Sequence, residues 1–496
     1  KIVMKSIYLL CIMLGVLFCR CAEDKGNYDY TPVDELTITG IDGTYTKIVG
    51  DSLKIPVTFE HTVQGENENY EYLWEMDGKK IADTRDLGIL TPSDMSFGNK
   101  TCRYTVIDKD NGMKYYKNFA VNIVSPFNWG YYLLTEREDH SSVISYFSVM
   151  DGNDKFIQTT SISGVELGDM PRSLAGKFGH ISALKDYFWT ITSVTSGGEN
   201  PVIITENATF IPNNIVNTSC FVDQESGYVF APEFAPLNRQ GNQFFISQGK
   251  FISYNKGLLY RPAKHGKDYY WSDPVWSQAG YPHMFVFDKL SQKYYTIQSQ
   301  PNVQEEGIVG DSYAYDKVVA ITDCPSFEGH TIIGTMAEYA APWDDATIVT
   351  ASSNGISLIK ISYAYSTGES KCGSPVVLPL AGVDSDSKAL LVGKDWYFAV
   401  GNKIYTSPVL LPTLADFVTI PEDCGKIVSM NSSAMQSLLV VATYNEKSSE
   451  ELKGSVIFID MQTKKQTVYK NVIHKCVSIL SCNADPYGWE GYGDGK

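Results

Sequence analysis

SKALLVGKDWYFAVGNKIYTSP, residues 387–408, is the stretch whose reading decides the fold. Three short runs, ALLV, WYFAV and KIYTS, are parted by Gly393-Lys394-Asp395 and by Gly401-Asn402, residue types that tolerate the backbone of a tight turn. No 3.6-residue apolar spacing runs through the segment, so it reads as three consecutive antiparallel strands. The same plan of strand, turn, strand, glycine-bearing turn and strand recurs at 180–205, HISALKDYFWTITSVTSGGENPVIIT, and at 435–470, MQSLLVVATYNEKSSEELKGSVIFIDMQTKKQTVYK. Within the last, DMQTKKQ at 460–466 reads as a hairpin between the outer strands of such a unit, and HMFVFDKLSQKYYTI at 283–297 repeats it.

Working outward, strand follows strand over 126–485 with almost no helical periodicity: YYLLTE, VISYFSVM, QFFISQGKFISY, KVVAITD, ISLIKISYAY. An all-β region of this length must close on itself or repeat radially to avoid exposed sheet edges. At roughly 45 to 50 residues per repeat, this predicts a C-terminal β-propeller of about seven or eight blades. A pair of large β-sandwiches is the alternative.

Residues 33–125 carry a different pattern, with short alternating runs (LTITGI, SLKIPVTF, YEYLWEM, CRYTVID, KNFAVNIV) that predict a small β-sandwich. Asp77-Gly78 and Asp110-Asn111-Gly112 supply its hairpin turns. Asp108 and Asp110 could suggest calcium, but the glycine comes one place too early for an EF-hand loop and no distal glutamate follows, so a turn is expected. Trp74 is expected in the core of a central strand, and with Cys102 as the only cysteine here no inter-sheet disulfide can form. Ser125 to Gly130, SPFNWG, is expected to link the two domains.

Ahead of the sandwich, Lys1 and Lys5 precede an apolar run over 7–18, too short to span a bilayer as a helix, so 1–20 reads as a signal peptide. Cys21 follows, then Ala22-Glu23-Asp24-Lys25-Gly26, and 21–32 reads as an acidic, tyrosine-rich tether lipidated at Cys21. The residue before Cys21 is Arg20, where a small one is usual. Acylation at Cys19 would put Phe18 there instead, and that choice stays open.

The decapeptide CAEDKGNYDY, 21–30, resembles the opening of PKD-like family lipoproteins found beside SusC/SusD-type outer-membrane importers in gut Gram-negative bacteria. The resemblance implies a PKD/Ig-like fold for 33–125, export to the extracellular face of the outer membrane, and a SusC/SusD-type transporter complex as partner. It also implies a role in nutrient uptake, capturing or presenting oligosaccharide or peptide.

Forty-one basic residues against 57 acidic ones give a net charge of −16, which repels nucleic acid phosphates and makes DNA or RNA binding unexpected. Of ten cysteines, seven follow Cys21: Cys102, Cys220, Cys324, Cys372, Cys424, Cys476 and Cys482. None forms a CxxC pair and histidine numbers only seven, so neither a metal site nor a redox dithiol is indicated. Buried thiols with at most one disulfide are expected.

The chain has no GxSxG elbow, HExxH, phosphate-binding GxxxxGK[ST] or helix-opening GxGxxG, so no catalytic residue, no cofactor and a non-catalytic function are expected. The competing reading is a propeller enzyme acting on glycans or peptides, and a third is a purely structural importer subunit. Candidate ligand contacts concentrate where rings gather among proline- and glycine-bearing loops: Tyr269, Tyr270, Trp271, Trp276, Tyr281 and His283, with Trp343 as a second location. Aromatic faces suit sugar C–H groups or peptide side chains, although such rings also fill the seams of all-β domains. The glycine-rich tail 486–496 is either a docking strap or a frayed end.

Overall fold

The computed structural model describes residues 35–48, 52–62, 69–90, 98–124, 129–148, 156–180, 187–206, 210–222, 229–234, 243–255, 257–260, 269–276, 283–298, 317–337, 345–364, 367–433 and 437–483. The fold is all-β. Its only helical turns among these residues are the short 3-10 segments Thr218–Cys220 and Glu422–Cys424. The chain divides after Ile123 into two units.

The N-terminal unit holds a five-stranded antiparallel sheet in the order Thr44–Ile48, Lys114–Val124, Gly98–Asp108, Tyr70–Met76 and Lys79–Ala82. Two further pairs, Leu36–Thr39 with Thr58–His61 and Ser52–Ile55 with Leu87–Leu90, accompany it. Alternation places Cys102, Tyr104 and Val106 on one buried face, where they meet Leu53, Ile55 and Phe119. Trp74 lies fully buried at the centre, its ring 4.2 Å from that of Tyr104 and its Nε1–H donating to the Thr84 carbonyl at 2.8 Å. The Asp77-Gly78 turn has positive φ at both residues, as the tight hairpin requires. Asp108 accepts from the Asp110 N–H at 2.9 Å and from Asn111 Nδ2 at 2.8 Å, so this acidic segment is the expected turn. Cys102 is a buried free thiol.

The second unit repeats one plan seven times among its described residues. The second sheet runs Pro171–His180, Tyr187–Thr195, Val202–Glu206, Ile211–Val216, and the third Pro232–Phe234, Gln243–Ser247, Lys250–Asn255, Leu258–Tyr260. The fourth runs Trp271–Trp276, His283–Asp288, Lys293–Gln298, Lys317–Ala320. The fifth runs Thr331–Ala337, Ala346–Ser352, Gly355–Ala364, Glu369–Cys372, with Val376–Leu378 added beside Gly355–Ala364. The sixth is Lys388–Val392, Asp395–Val400, Lys403–Pro408, Ala415–Thr419, and the seventh Lys426–Ser432, Leu438–Tyr444, Gly454–Asp460, Gln466–Ile473. In the first sheet the plan is completed from both ends of the unit. Trp129–Glu136, Ser142–Ser148 and Phe156–Thr159 are joined by Lys475–Asn483, which takes the place held elsewhere by the leading strand.

The leading strands touch in succession. Each of those in sheets two to six lies against the next, and Lys475–Asn483 lies against both Lys426–Ser432 and Pro171–His180, so the order of neighbours returns on itself. Their directions agree. Leu174 N–H bonds Ser478 Oγ, Asn431 Nδ2 bonds the Ile479 carbonyl and Leu391 N–H meets Met336 Sδ, each pair joining residues at similar distances from their strand starts.

The two faces of a sheet are covered by its two neighbours. In Leu438–Tyr444, Leu439 and Val441 pack toward the sixth sheet while Val440 and Ala442 pack toward the first. In Trp129–Glu136, Tyr131 and Leu133 face the seventh sheet while Tyr132 and Leu134 face the second. Strands buried on both faces read as continuous apolar runs, which is why YYLL and LLVV lack polar alternation. A disulfide, Cys324–Cys372, ties the segment after the fourth sheet to the last strand of the fifth, and Cys220, Cys424 and Cys476 are free thiols.

Two sequence expectations shift in position. HMFVFDKLSQKYYTI joins the second and third strands of its sheet, whereas DMQTKKQ joins the third and fourth. Both hairpins close with a positive-φ residue (Gln292, Lys464), so turn chemistry alone could not fix their place in the repeat. Trp129 and Gly130, read as linker, open the first strand of the second unit.

Candidate functional site

The leading strands begin with a repeated irregularity. Register shifts skip Arg172 in the second sheet, Glu233 in the third, Asp273-Pro274 in the fourth, Ile333 in the fifth and Val428 in the seventh. A bulge leaves one residue unpaired and re-aims its side chain. In three successive sheets that residue is charged: Arg172, Glu233 and Asp273. Asp273 holds φ +49, a value that aspartate tolerates better than most residues.

The sheets that carry them are connected. Arg172 Nε donates to Ser196 Oγ at 2.6 Å, and Ser196 Oγ donates to the Pro232 carbonyl at 3.0 Å, joining sheets two and three. Tyr270 O–H donates to Glu233 Oε1 at 3.1 Å, joining sheets three and four. Tyr270 is held from three sides. Its backbone N–H donates to Asp288 Oδ1 at 2.8 Å, Lys289 Nζ stands 5.4 Å from its ring centroid, and its ring lies flat on Gly249, where an added Cβ would come within 2.5 Å of Cγ.

Electrostatics differ between the two aspartates nearby. Burial raises the Asp273 carboxyl above its ordinary range, and Glu233 adds to this while Lys289 opposes it. Burial would also raise Asp288, but hydrogen bonds from Ser291, Tyr270 and Leu290 outweigh it and leave that carboxyl lowered. Asp288 is taken up by these donors, whereas Asp273 lies within electrostatic reach of Glu233 and Lys289. A carboxyl that resists ionisation near a second carboxyl, a phenol and a cation can accept and donate hydrogen bonds to a polyhydroxylated ligand.

The expected ligand contacts sort as follows. Tyr269 and Tyr270 are half-buried and lie in this cluster, Tyr269 with one ring face stacked on Trp271 at 4.2 Å. Trp271 is 3% exposed and packs among Phe251, Tyr269 and Tyr295, so it supports the site without presenting a face of its own. His283 is 2% exposed and stacks on Tyr363 at 4.0 Å, which places it in the seam between the fourth and fifth sheets. Trp276 ends the strand Trp271–Trp276 opposite Met284. Tyr281, Trp343 and the lipidation candidate Cys21 lie outside the described residues, as does the tail 486–496. Sequence reading missed Arg172, Glu233, Asp273 and Lys289. The available signal was a charged residue near the start of the leading strand in three successive sheets, beside Pro171, Pro232 and Pro274.

A cavity of about 270 Å³ lies elsewhere, lined by Ile144, Tyr146, Ile157, Thr159, Ser161, Ser163 and Phe210. Its Thr159 and Ser163 hydroxyls donate to the carbonyls of Ser161 and Phe210, which makes the lining a self-satisfied apolar gap. Among the described residues no group of three His, Cys, Asp or Glu side chains is placed to hold a metal ion, and no helix is long and apolar enough to cross a membrane.

No curated protein matches this chain. Among solved structures, a quinonprotein alcohol dehydrogenase-like protein from Bacteroides thetaiotaomicron aligns with a TM-score of 0.43 and 11% identity, over 89% of this chain and 94% of its own. The extracellular domain of a one-component system from the same organism aligns with a TM-score of 0.39 and 11% identity, over 80% of this chain and 53% of its own. The family profile that matches is that of the PKD-like family, over residues 21–171, a span that includes every described residue of the N-terminal unit.

Proposed function

We propose that this chain is a lipid-anchored lipoprotein of the outer-membrane surface, a non-catalytic accessory of a SusC/SusD-type importer, and that its second unit is a seven-bladed β-propeller that binds oligosaccharide. Seven four-stranded repeats, the cyclic order of neighbouring leading strands and the completion of the first sheet by Lys475–Asn483 support the propeller. The match of 21–171 to the PKD-like family agrees with the resemblance at CAEDKGNYDY, which supports the lipoprotein and importer reading.

The observation that carries ligand binding is the bond from Tyr270 O–H to Glu233 Oε1 between two sheets, with Tyr269 half-buried beside it. It sets an aromatic surface next to carboxyl acceptors and the Arg172 donor, the pairing that sugar C–H faces and hydroxyls require. Tethering by lipid near a transporter raises effective concentration, so modest intrinsic affinity suffices.

Titration of the full chain against panels of oligosaccharides and of peptides tests the binding reading. Saccharide binding that weakens at least tenfold in Tyr270→Ala supports it, whereas binding of peptides alone, or binding indifferent to Tyr270, overturns it. Recovery from native outer membrane in mild detergent, with mass spectrometry of partners and of the mature N-terminus, tests the accessory role. A SusC/SusD-type pair and an acylated Cys21 are expected. Turnover of any saccharide, abolished in Glu233→Gln or Asp273→Asn, would move the protein to the enzymes.

A further inference from the structure

The first residues of the leading strands are Pro171, Pro232, Trp271, Thr331, Lys388, Lys426 and, in the first sheet, Lys475. In sheets six, seven and one, which are consecutive in the order of neighbours, that residue is lysine. The leading strands of the other four sheets start with proline, tryptophan or threonine, so nothing in the strand start demands a cation. A chain of net charge −16 has nevertheless collected three ammonium groups at adjacent strand ends.

The three open neighbouring strands, and against their three ammonium groups stand two carboxylates, Asp386 and Asp384. Lys426 Nζ reaches Asp386 at 4.0 Å, both side chains being largely exposed, a geometry that contributes little. Lys388 is partly buried, and among the described residues no carboxylate comes within ion-pair distance of its ammonium. Burial lowers its proton affinity, Asp386 and Asp384 oppose that, and Lys475 adds to it by like-charge repulsion. One Asp384 oxygen is occupied by the N–H groups of Asp386 and Ser387 and by the Ser387 hydroxyl. Three ammonium groups against two carboxylates at adjoining strand ends, one of the ammonium groups partly withdrawn from water, leave an excess of positive charge that an entering anion offsets.

We propose that Lys388, Lys426 and Lys475 form an anion subsite that takes the carboxylate or sulfate of an acidic oligosaccharide. The assignment to a saccharide rests on the ligand reading above. The lysines and the Tyr270–Glu233 cluster lie at the same end of the ring of leading strands, where those strands begin. A ligand spanning the two would meet cations on one side and aromatic and carboxyl groups on the other.

The test uses the full chain and the Lys388→Met/Lys475→Gln variant, in which similar chain lengths keep the packing while the charge is lost. Inorganic sulfate at low millimolar concentration is compared with chloride at matched ionic strength, and thermal unfolding is read. A sulfate-specific rise in Tm that the variant lacks is expected, and an equal rise in both, or none, overturns the subsite. Tetragalacturonate and neutral galactotetraose are then titrated. The acidic sugar is expected to bind at least tenfold more tightly, with the difference falling within twofold in the variant while neutral binding is unchanged. A preference that survives the variant overturns the proposal. A lysine-dependent sulfate effect with no binding of either sugar overturns the saccharide assignment in favour of an acidic peptide, and it is the outcome that separates failure of the ligand reading from failure of the subsite.

Discussion

Ser478 Oγ accepts the backbone N–H of Leu174 at 3.0 Å, although 304 residues of chain separate the two. The strand that carries Ser478 also pairs with Trp129–Glu136 along its length, so the start and end of the second unit share one sheet. Sheets in such a ring are each covered by two neighbours, and removing one strand uncovers apolar faces on both sides. A chain ending before Lys475 is therefore expected to lose the cooperative unfolding of the whole second unit. A graded version is Leu480→Ala, since Leu480 is 2% exposed and packs in the cluster with Leu174 and Tyr132. Urea unfolding should register a loss of about 2–5 kcal/mol. An unchanged midpoint would show that the closing strand is dispensable.

The Cys324–Cys372 disulfide closes a 48-residue separation between the segment after the fourth sheet and the last strand of the fifth. Restricting the unfolded chain by a loop of this size is worth about 2–4 kcal/mol. Cys324→Ser/Cys372→Ser is expected to lower the free energy of unfolding by that amount while leaving oligosaccharide titration unchanged, because the bond is remote in sequence from Tyr270 and Glu233. Loss of binding at preserved stability would point to a role for the disulfide in the site.

The all-β character, the small N-terminal domain and the repeated plan were legible in the sequence because each rests on local rules. Asp77-Gly78 and Gly401-Asn402 announce turns, and WYFAV and VVATY announce strands wherever they lie. The phase of the repeat was not legible. Residues 387–408 supply strands one to three of their sheet and 435–470 supply strands two to four, yet both present strands separated by polar turns. Nor could aromatic content tell a ligand contact from a seam. Trp271 and Tyr269 are neighbours on the same stretch, and only pairing with the next sheet buries the first while leaving the second half-exposed. The charged bulge residues were hidden for a related reason, because a bulge is a property of two strands in register and Glu233 alone carries no mark of it.

Asp273 makes stability depend on pH in a fixed direction. Burial holds its carboxyl above the ordinary range, so the folded protein keeps a proton there that the unfolded chain releases. Its contribution is therefore lost as pH rises from the ordinary aspartate value through the raised folded value, and is constant above that. Asp273→Asn removes this slope, and asparagine accepts the same positive φ. The variant is expected to be more stable than the parent near neutral pH, with the difference shrinking as the solution is acidified. Other carboxylates have lowered values and slope the opposite way, Asp288 among them, so the readout is the difference in Tm between variant and parent. A difference that does not change with pH would place the Asp273 carboxyl in water.

Gly249 sets the position of Tyr270. Its φ is +70, and a Cβ built there would fall 2.5 Å from Tyr270 Cγ and 2.7 Å from both Cδ atoms. The ring cannot yield by a small rotation, because its hydroxyl is bound to Glu233, its backbone N–H to Asp288, and its neighbour Tyr269 is stacked on Trp271. Gly249→Ala must therefore strain the backbone, displace the ring, or both. The backbone term alone is about 1 kcal/mol or more for a non-glycine residue at positive φ. Displacement of Tyr270 would break the link between sheets three and four and withdraw the phenol from the site. Oligosaccharide affinity is expected to fall as far as in Tyr270→Ala, whereas Gly329→Ala, at a turn with φ +74 and open space around the added methyl, should reproduce the backbone cost and leave affinity intact. Equal affinity loss in both variants would trace the effect to general destabilisation. Loss in Gly249→Ala alone would place the ring of Tyr270 in the ligand's path.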